Sequence, residues 1–262
     1  MADARYVTSK DGSVIGVRVF GAGPPMVLVH GAAVDGRCWT PVLPRLAERF
    51  TVHVMDRRGR GLSLPEGGPY GIEREGEDIA AVAEAAGRDV FLVGHSFGAL
   101  CALKASPFPE AVGRAVLYEP PISSPWREVA SPEVLHRLRG LADEHDHDAV
   151  LEVVMREVIG LSARQVEALR GARRFWRTSL ENAPPLVRET GSVGRIEDLG
   201  RLTGVPVRLL VGERSPAYQR TTAEALAALI PGAGVTVLKG QGHMAMVEGP
   251  DLLAETLLKF AE

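Results

Sequence analysis

Ser96 stands at the centre of Gly94-His95-Ser96-Phe97-Gly98, directly after the apolar run Val90–Val93 and directly before Ala99-Leu100-Cys101-Ala102-Leu103. A serine with a glycine two places to either side, between a strand-like and a helix-like segment, is the pattern of a nucleophile on a sharp strand-to-helix turn. The turn strains the serine's dihedrals, so its close neighbours must lack bulky side chains. It also lifts the hydroxyl clear of the sheet. The helix N-terminus adds positive potential where an oxyanion would form, and the Phe97 N–H can donate to it. A pentapeptide can arise by chance in a chain with 29 glycines, so the reading leans on this context and on partners elsewhere. His95, inside the motif, is placed away from the base role and is read as structural.

A nucleophilic serine needs a base, and imidazole titrates where it can accept the serine proton and return it to a leaving group. His243 follows a short strand-like run, Val235–Leu238, in the loop Gly240-Gln241-Gly242-His243 near the C-terminus. Of the seven histidines, His136, His145 and His147 fall on polar helices or turns and are read as solvated. His53 falls within a strand and is read as packed core.

Such residues need a scaffold. The chain has 262 residues, 45% hydrophobic and 24% charged, enough for one large domain or for a domain carrying an insertion. Its 30 Lys and Arg against 33 Asp and Glu leave a formal net charge of −3. That balance gives no reason to expect nucleic acid or an anionic membrane as partner. The short clusters Arg57-Arg58-Gly59-Arg60 and Arg173-Arg174 are read as solvated or structural. No signal peptide or membrane-length apolar run is visible, and Cys38 and Cys101 make no disulfide framework, so a cytoplasmic location is expected.

Arg5–Ser9 and Ser13–Phe20 are β-rich and flank the hairpin signal Lys10-Asp11-Gly12. Pro25–His30, Phe50–Asp56 and Asp89–Gly94 are nearly continuous apolar runs, as in strands buried on both faces of a parallel sheet. Further strands are expected at Arg114–Tyr118, Val205–Val211 and Val235–Leu238. Helices are expected at Trp39–Arg49, Glu73–Ala86, Ala217–Ile230 and Leu252–Phe260. The alternation predicts α/β architecture. From about Ile122 to Leu199 strand signals vanish, while Ser131-Pro132-Glu133 and Ser162-Ala163-Arg164-Gln165 read as helix starts. Leu135, Leu138 and Leu141, then Val150, Val153, Val154 and Val158, recur at helical spacing. The expected organisation is a core of residues 1–121 and 200–262 with an inserted helical lid over 122–199.

Four segments, in order, resemble the landmarks of α/β-hydrolase-fold proteins. Val27-Leu28-Val29-His30-Gly31-Ala32 resembles the oxyanion loop after the third strand, and Asp56-Arg57-Arg58-Gly59-Arg60-Gly61-Leu62-Ser63 resembles the family's Asp-x-Arg-Gly-x-Gly-x-Ser segment. The serine turn and Gly240-Gln241-Gly242-His243 complete the set. The resemblance covers nearly the whole chain outside the lid. It implies a mostly parallel eight-stranded sheet flanked by helices, an order of serine, acid and histidine that suits His243, and an oxyanion hole made by the Ala32 and Phe97 N–H groups.

The acid departs from the commoner family pattern. Where an aspartate is expected after Val205–Val211, in Gly212-Glu213-Arg214-Ser215-Pro216, the chain has Ser215, which cannot supply a fixed negative charge. Two carboxylates compete. Glu119, in Tyr118-Glu119-Pro120-Pro121, resembles the acid of haloalkane dehalogenases and relatives, at the end of the sixth strand beside the nucleophile strand. Glu213 lies nearer the usual place but two residues early. Glu119 is preferred.

A serine rather than an aspartate at the turn argues against dehalogenase and epoxide hydrolase chemistry. No His-Glu-x-x-His, cysteine cluster or Gly-x-Gly-x-x-Gly loop at a first strand occurs, so neither metal nor cofactor is expected. The expected reaction is transfer to water of an acyl group from an ester, lactone or thioester of a small, largely apolar molecule, through an acyl-enzyme. Trp126, Phe175 and Trp176, with Leu180, are candidates to line its pocket or to be plain core. Lyases, cofactor-free enzymes and small-molecule receptors with a retained triad share the fold and remain rivals.

Overall fold

The computed structural model describes residues 3–63, 69–105, 110–125, 127–196 and 204–262. Strands β1 (Asp3–Thr8) and β2 (Val14–Phe20) pair antiparallel across the turn at Gly12, whose φ of 86° a side chain would oppose. Then follow β3 (Pro25–Val29), β4 (Thr51–Met55), β5 (Val90–His95), β6 (Val112–Tyr118), β7 (Val207–Gly212) and β8 (Gly234–Leu238). These six run parallel, and the eight strands lie in the order β1-β2-β4-β3-β5-β6-β7-β8. The expected mostly parallel eight-stranded sheet is therefore what the chain forms. Its order sets the ends of β3, β5, β6 and β7 side by side along one edge, where open α/β sheets take up ligands.

Helices α1 (Leu43–Leu46), α2 (Ile72–Ala86) and α3 (Phe97–Lys104) fall between the early strands. Between β6 and β7 come α4 (Pro132–Asp143), α5 (His147–Val153), α6 (Ala163–Gly171), α7 (Arg173–Glu181) and α8 (Leu186–Gly191). Helix α9 (Ala217–Leu229) follows β7, and α10 (Ala245–Glu248) and α11 (Pro250–Ala261) follow β8.

Alternation along a strand explains the continuous apolar runs. Val27 and Val29 of β3 pack with Ile79, Leu100 and Leu226 from α2, α3 and α9. Met26 and Leu28 point the other way, to Leu46 and Leu257 from α1 and α11. The described helices between β6 and β7 bury a cluster of their own around Leu138, Leu151 and Trp176. They lie within the expected 122–199 segment, whose C-terminal boundary falls outside the described residues. Helix Trp39–Arg49 is not continuous: the chain makes a 3-10 turn at Gly36–Trp39 and then the single turn α1. Pro41 and Pro44 explain the break, since neither offers an N–H and Pro44 is accommodated only in a first helical turn. Among the described residues no helix is long and apolar enough to cross a membrane.

Candidate active site

Ser96 joins β5 directly to α3 with φ 51° and ψ −124°, a backbone that non-glycine residues rarely adopt. The glycines around it answer to contacts. A Cβ on Gly94 would stand 2.7 Å from Ala99 Cα, and one on Gly98 would stand 2.6 Å from the Val29 carbonyl oxygen and press on that of His30. The Ser96 N–H donates to the Tyr118 carbonyl at 2.8 Å, which ties the turn to the end of β6.

Glu119, the residue directly after β6, also takes a positive φ, 48°. Its carboxylate is fully buried, and each oxygen has a partner. Oε1 accepts the Gly212 N–H at 2.7 Å, and Oε2 lies 2.5 Å from Nδ1 of His243. An ionised carboxylate only accepts, so Nδ1 carries the proton and Nε2 is left with its lone pair. His243 arrives from the loop after β8 because Gly212 has no side chain: a Cβ there would sit 2.7 Å from the carbonyl oxygens of Gln241 and Gly242. The His243 carbonyl accepts from His95 Nε2 at 2.8 Å, and the two rings lie 4.7 Å apart. The Tyr118 hydroxyl donates to the Gly242 carbonyl. Burial, and then the neighbouring His243, push the His95 pKa well below 6.5, so His95 stays neutral while it holds the loop. Glu213 is exposed, and its carboxylate accepts the Gly240 N–H at 2.7 Å. The Ser215 hydroxyl is buried with no hydrogen-bond partner.

The loop after β3 packs on the serine: a Cβ on Gly31 would meet Ser96 Cβ at 2.9 Å. The Gly31 carbonyl accepts from His30 Nδ1 at 2.8 Å and from Arg57 Nη1 at 3.2 Å. The peptide plane is rigid, so fixing that carbonyl fixes the Ala32 N–H in the opposite direction. His30 Nε2 in turn accepts the Arg57 N–H at 3.0 Å, which sets its tautomer. Burial lowers the His30 pKa well below 6.5, and Arg57 and Arg60 lower it further.

Arg57 is fully buried. It bonds Glu75 at 2.6 and 3.0 Å and Glu189 of α8 at 2.5 Å, and Arg60 bonds the same Glu189 carboxylate. Arg58 is buried against Asp78 at 2.7 Å. The cluster Arg57-Arg58-Gly59-Arg60 is thus structural, and the solvated alternative is corrected. Asp56 closes the segment by accepting the N–H groups of Gly36 and Leu62, each at 2.7 Å.

Ser96, His243, Glu119, Ala32, Phe97 and Phe175 all line one mainly apolar cavity of about 120 Å³. Its roof comes from the segment between β6 and β7, notably Val154, Met155 and Val158 on a π-helical turn. Trp176 does not line it. This corrects the expectation: the ring is buried in the helices' own cluster, its Nε1 donates to Asp148 at 2.8 Å and Arg170 stacks on it at 4.4 Å. Leu180 packs on that cluster too, and Trp126 lies outside the described residues. The sequence reading missed Arg127, Glu189 and Tyr218 on the cavity wall. For Val154 and Val158 the helical spacing was visible in the sequence, but spacing does not say that their face meets a cavity.

A family profile described as the alpha/beta hydrolase family matches residues 26–256. The chain belongs to this family. The alpha/beta hydrolase is 30% identical over 258 residues to a pimeloyl-[acyl-carrier protein] methyl ester esterase of Stenotrophomonas maltophilia, covering 93% of this chain and 95% of that one. It is 29% identical to the protein of the same name from Xanthomonas axonopodis pv. citri, over 93% of this chain and 97% of the other. Among solved structures it resembles an alpha/beta hydrolase of Sphaerobacter thermophilus at 33% identity and a TM-score of 0.89, covering 98% of this chain and all (100%) of that one. An esterase of Rhodococcus sp. follows at 26% identity and a TM-score of 0.78, with 98% of each chain covered.

Proposed function

We propose that this alpha/beta hydrolase cleaves carboxylic esters of small, largely apolar molecules through an acyl-enzyme on Ser96. The observation that carries the reading is the buried Glu119–His243 pair, 2.5 Å apart, on the same cavity as a serine held at a strained strand-to-helix turn. The relatives named as methyl ester esterases and the Rhodococcus esterase support ester hydrolysis.

In this reading Ser96 Oγ attacks the ester carbonyl carbon while His243 Nε2 takes its proton. The oxygen, now negative, is held by the Ala32 and Phe97 N–H groups; losing one such donor costs about 3 kcal/mol in comparable sites. Collapse breaks the ester C–O bond, and the imidazolium protonates the departing alcohol. Water deprotonated by His243 then releases the acid and frees Ser96. Glu119 holds the ring through Nδ1 and stabilises the imidazolium. The helices between β6 and β7 act as a lid whose apolar underside receives the substrate and excludes water.

A fluorophosphonate probe followed by intact-protein mass spectrometry tests this. The wild-type protein should gain one adduct, mapped to Ser96, and hydrolyse short-chain aryl esters. Ser96→Ala should do neither. An adduct of equal yield on Ser96→Ala overturns the nucleophile assignment, and labelling without any ester turnover overturns hydrolysis.

A further inference from the structure

Arg127 is the one arginine or lysine among the described residues that line the cavity. Three elements hold its side chain in place. Its backbone pairs with Ser124 just after β6, one Nη2–H donates to the Val158 carbonyl at 2.9 Å, and its guanidinium lies over the Tyr218 ring of α9 at 3.8 Å. Stacking engages the face of the guanidinium and leaves its edge. Of its five N–H donors one is used, and none of the others is sealed inside protein without a partner.

The carboxylates on the same wall are taken. Glu119 serves His243 and the Gly212 N–H, and Glu189 serves Arg57 and Arg60. Arg127 is half-buried, so its free N–H edge stays open at the cavity wall, and among the described residues no carboxylate bonds to it. A planar fork of donors matches a carboxylate better than any other common group.

We propose that Arg127 anchors a carboxylate of the substrate, which makes the substrate a half-ester: a scissile ester at Ser96 and a free carboxylate at the other end of a short apolar chain. The inference rests on the ester-hydrolase reading above. The cavity of about 120 Å³ is of the order of the roughly 150 Å³ that accommodates benzene in an engineered protein cavity, which suits a short chain of about three to five carbons.

The test compares monophenyl adipate with phenyl heptanoate, which have similar reach and differ in the terminal charge, after subtraction of spontaneous hydrolysis. The wild-type protein should favour the adipate ester in kcat/KM. Arg127→Met keeps the apolar stem and should cut the preference about 10- to 100-fold, mainly through KM, since it removes a charge-assisted hydrogen-bonded pair. Arg127→Lys keeps the charge without the fork and should fall between the two, which separates recognition from a folding defect. A wild-type preference at or below one overturns the proposal, and so does a preference that survives Arg127→Met. Failure to hydrolyse either ester sinks the esterase reading instead. Calorimetric titration of adipate then decides the Arg127 proposal: binding weakened in Arg127→Met upholds it, and absent or unaltered binding overturns it.

Discussion

At the scale of single residues, the choice of Glu119 as the acid depends on where each oxygen goes. Oε1 is fixed by the Gly212 N–H and Oε2 by Nδ1 of His243, so the carboxylate cannot turn without losing a partner. Glu119→Gln keeps the volume and removes the charge, and its amide would present either the wrong group or the wrong tautomer to the imidazole. We expect kcat to drop by about 10³- to 10⁴-fold with little change in KM, as loss of the triad acid does elsewhere. Glu213→Gln should keep most activity, because that side chain is exposed and touches the Gly240 N–H. Steady-state kinetics of both variants checks this; the reverse order would remove Glu119 from its role. Ser96 and His243 were readable because their motifs are local. The acid was harder, since the contact joins residues 124 positions apart in sequence, and only resemblance pointed to it. Arg127 gave no motif at all: its meaning depends on Tyr218 and Val158, brought to it by two separate elements.

At the scale of elements, the β5–turn–α3 unit works because α3 starts almost against the end of β3. A methyl group on Gly98 would meet the backbone oxygens of Val29 and His30, and β3 cannot yield because β4 and β5 grip it from both sides. Gly98→Ala should therefore cost about 2 kcal/mol or more, about 4–8 °C in Tm, and reduce activity by shifting the oxyanion loop. Gly140, inside α4, has nothing within 4 Å of the position a Cβ would take. Gly140→Ala should instead stabilise by about 0.5–1 kcal/mol. Thermal denaturation of the pair separates a glycine required by contact from one that merely weakens a helix. The strands were legible because burial on both faces writes an unbroken apolar run. The helix at Trp39–Arg49 was overread, since Pro41 and Pro44 leave room for two separate turns and no more. The π-helical turn at Val154–Val158 could not be read, since one residue of slippage in a helix leaves no mark on composition.

At the scale of the molecule, one buried cluster ties the inserted helices to the catalytic edge of the sheet. Glu189 on α8 bridges Arg57 and Arg60, and Arg57 also holds the Gly31 carbonyl that sets the direction of the Ala32 N–H. Burial pushes the Glu189 carboxyl up, but the two guanidiniums outweigh it and hold the pKa well below 4.5. Glu189→Gln leaves Arg57 with Glu75 alone and takes from buried Arg60 its carboxylate partner, a loss of about 3–5 kcal/mol where a buried pair is broken one-sidedly. The folded protein keeps Glu189 ionised below the pH at which the unfolded chain takes up its proton. The contribution is therefore complete above about pH 4.5 and declines as the pH falls below it. Urea denaturation of both proteins from pH 7 downward should show the wild-type advantage shrinking below pH 4.5. At pH 7, folded Glu189→Gln should lose kcat more than KM, because the oxyanion donor is disturbed while the apolar pocket stands. An advantage that stays constant down to acid, or a variant of undiminished kcat, would mean that the cluster neither clamps the helices nor reaches the oxyanion loop.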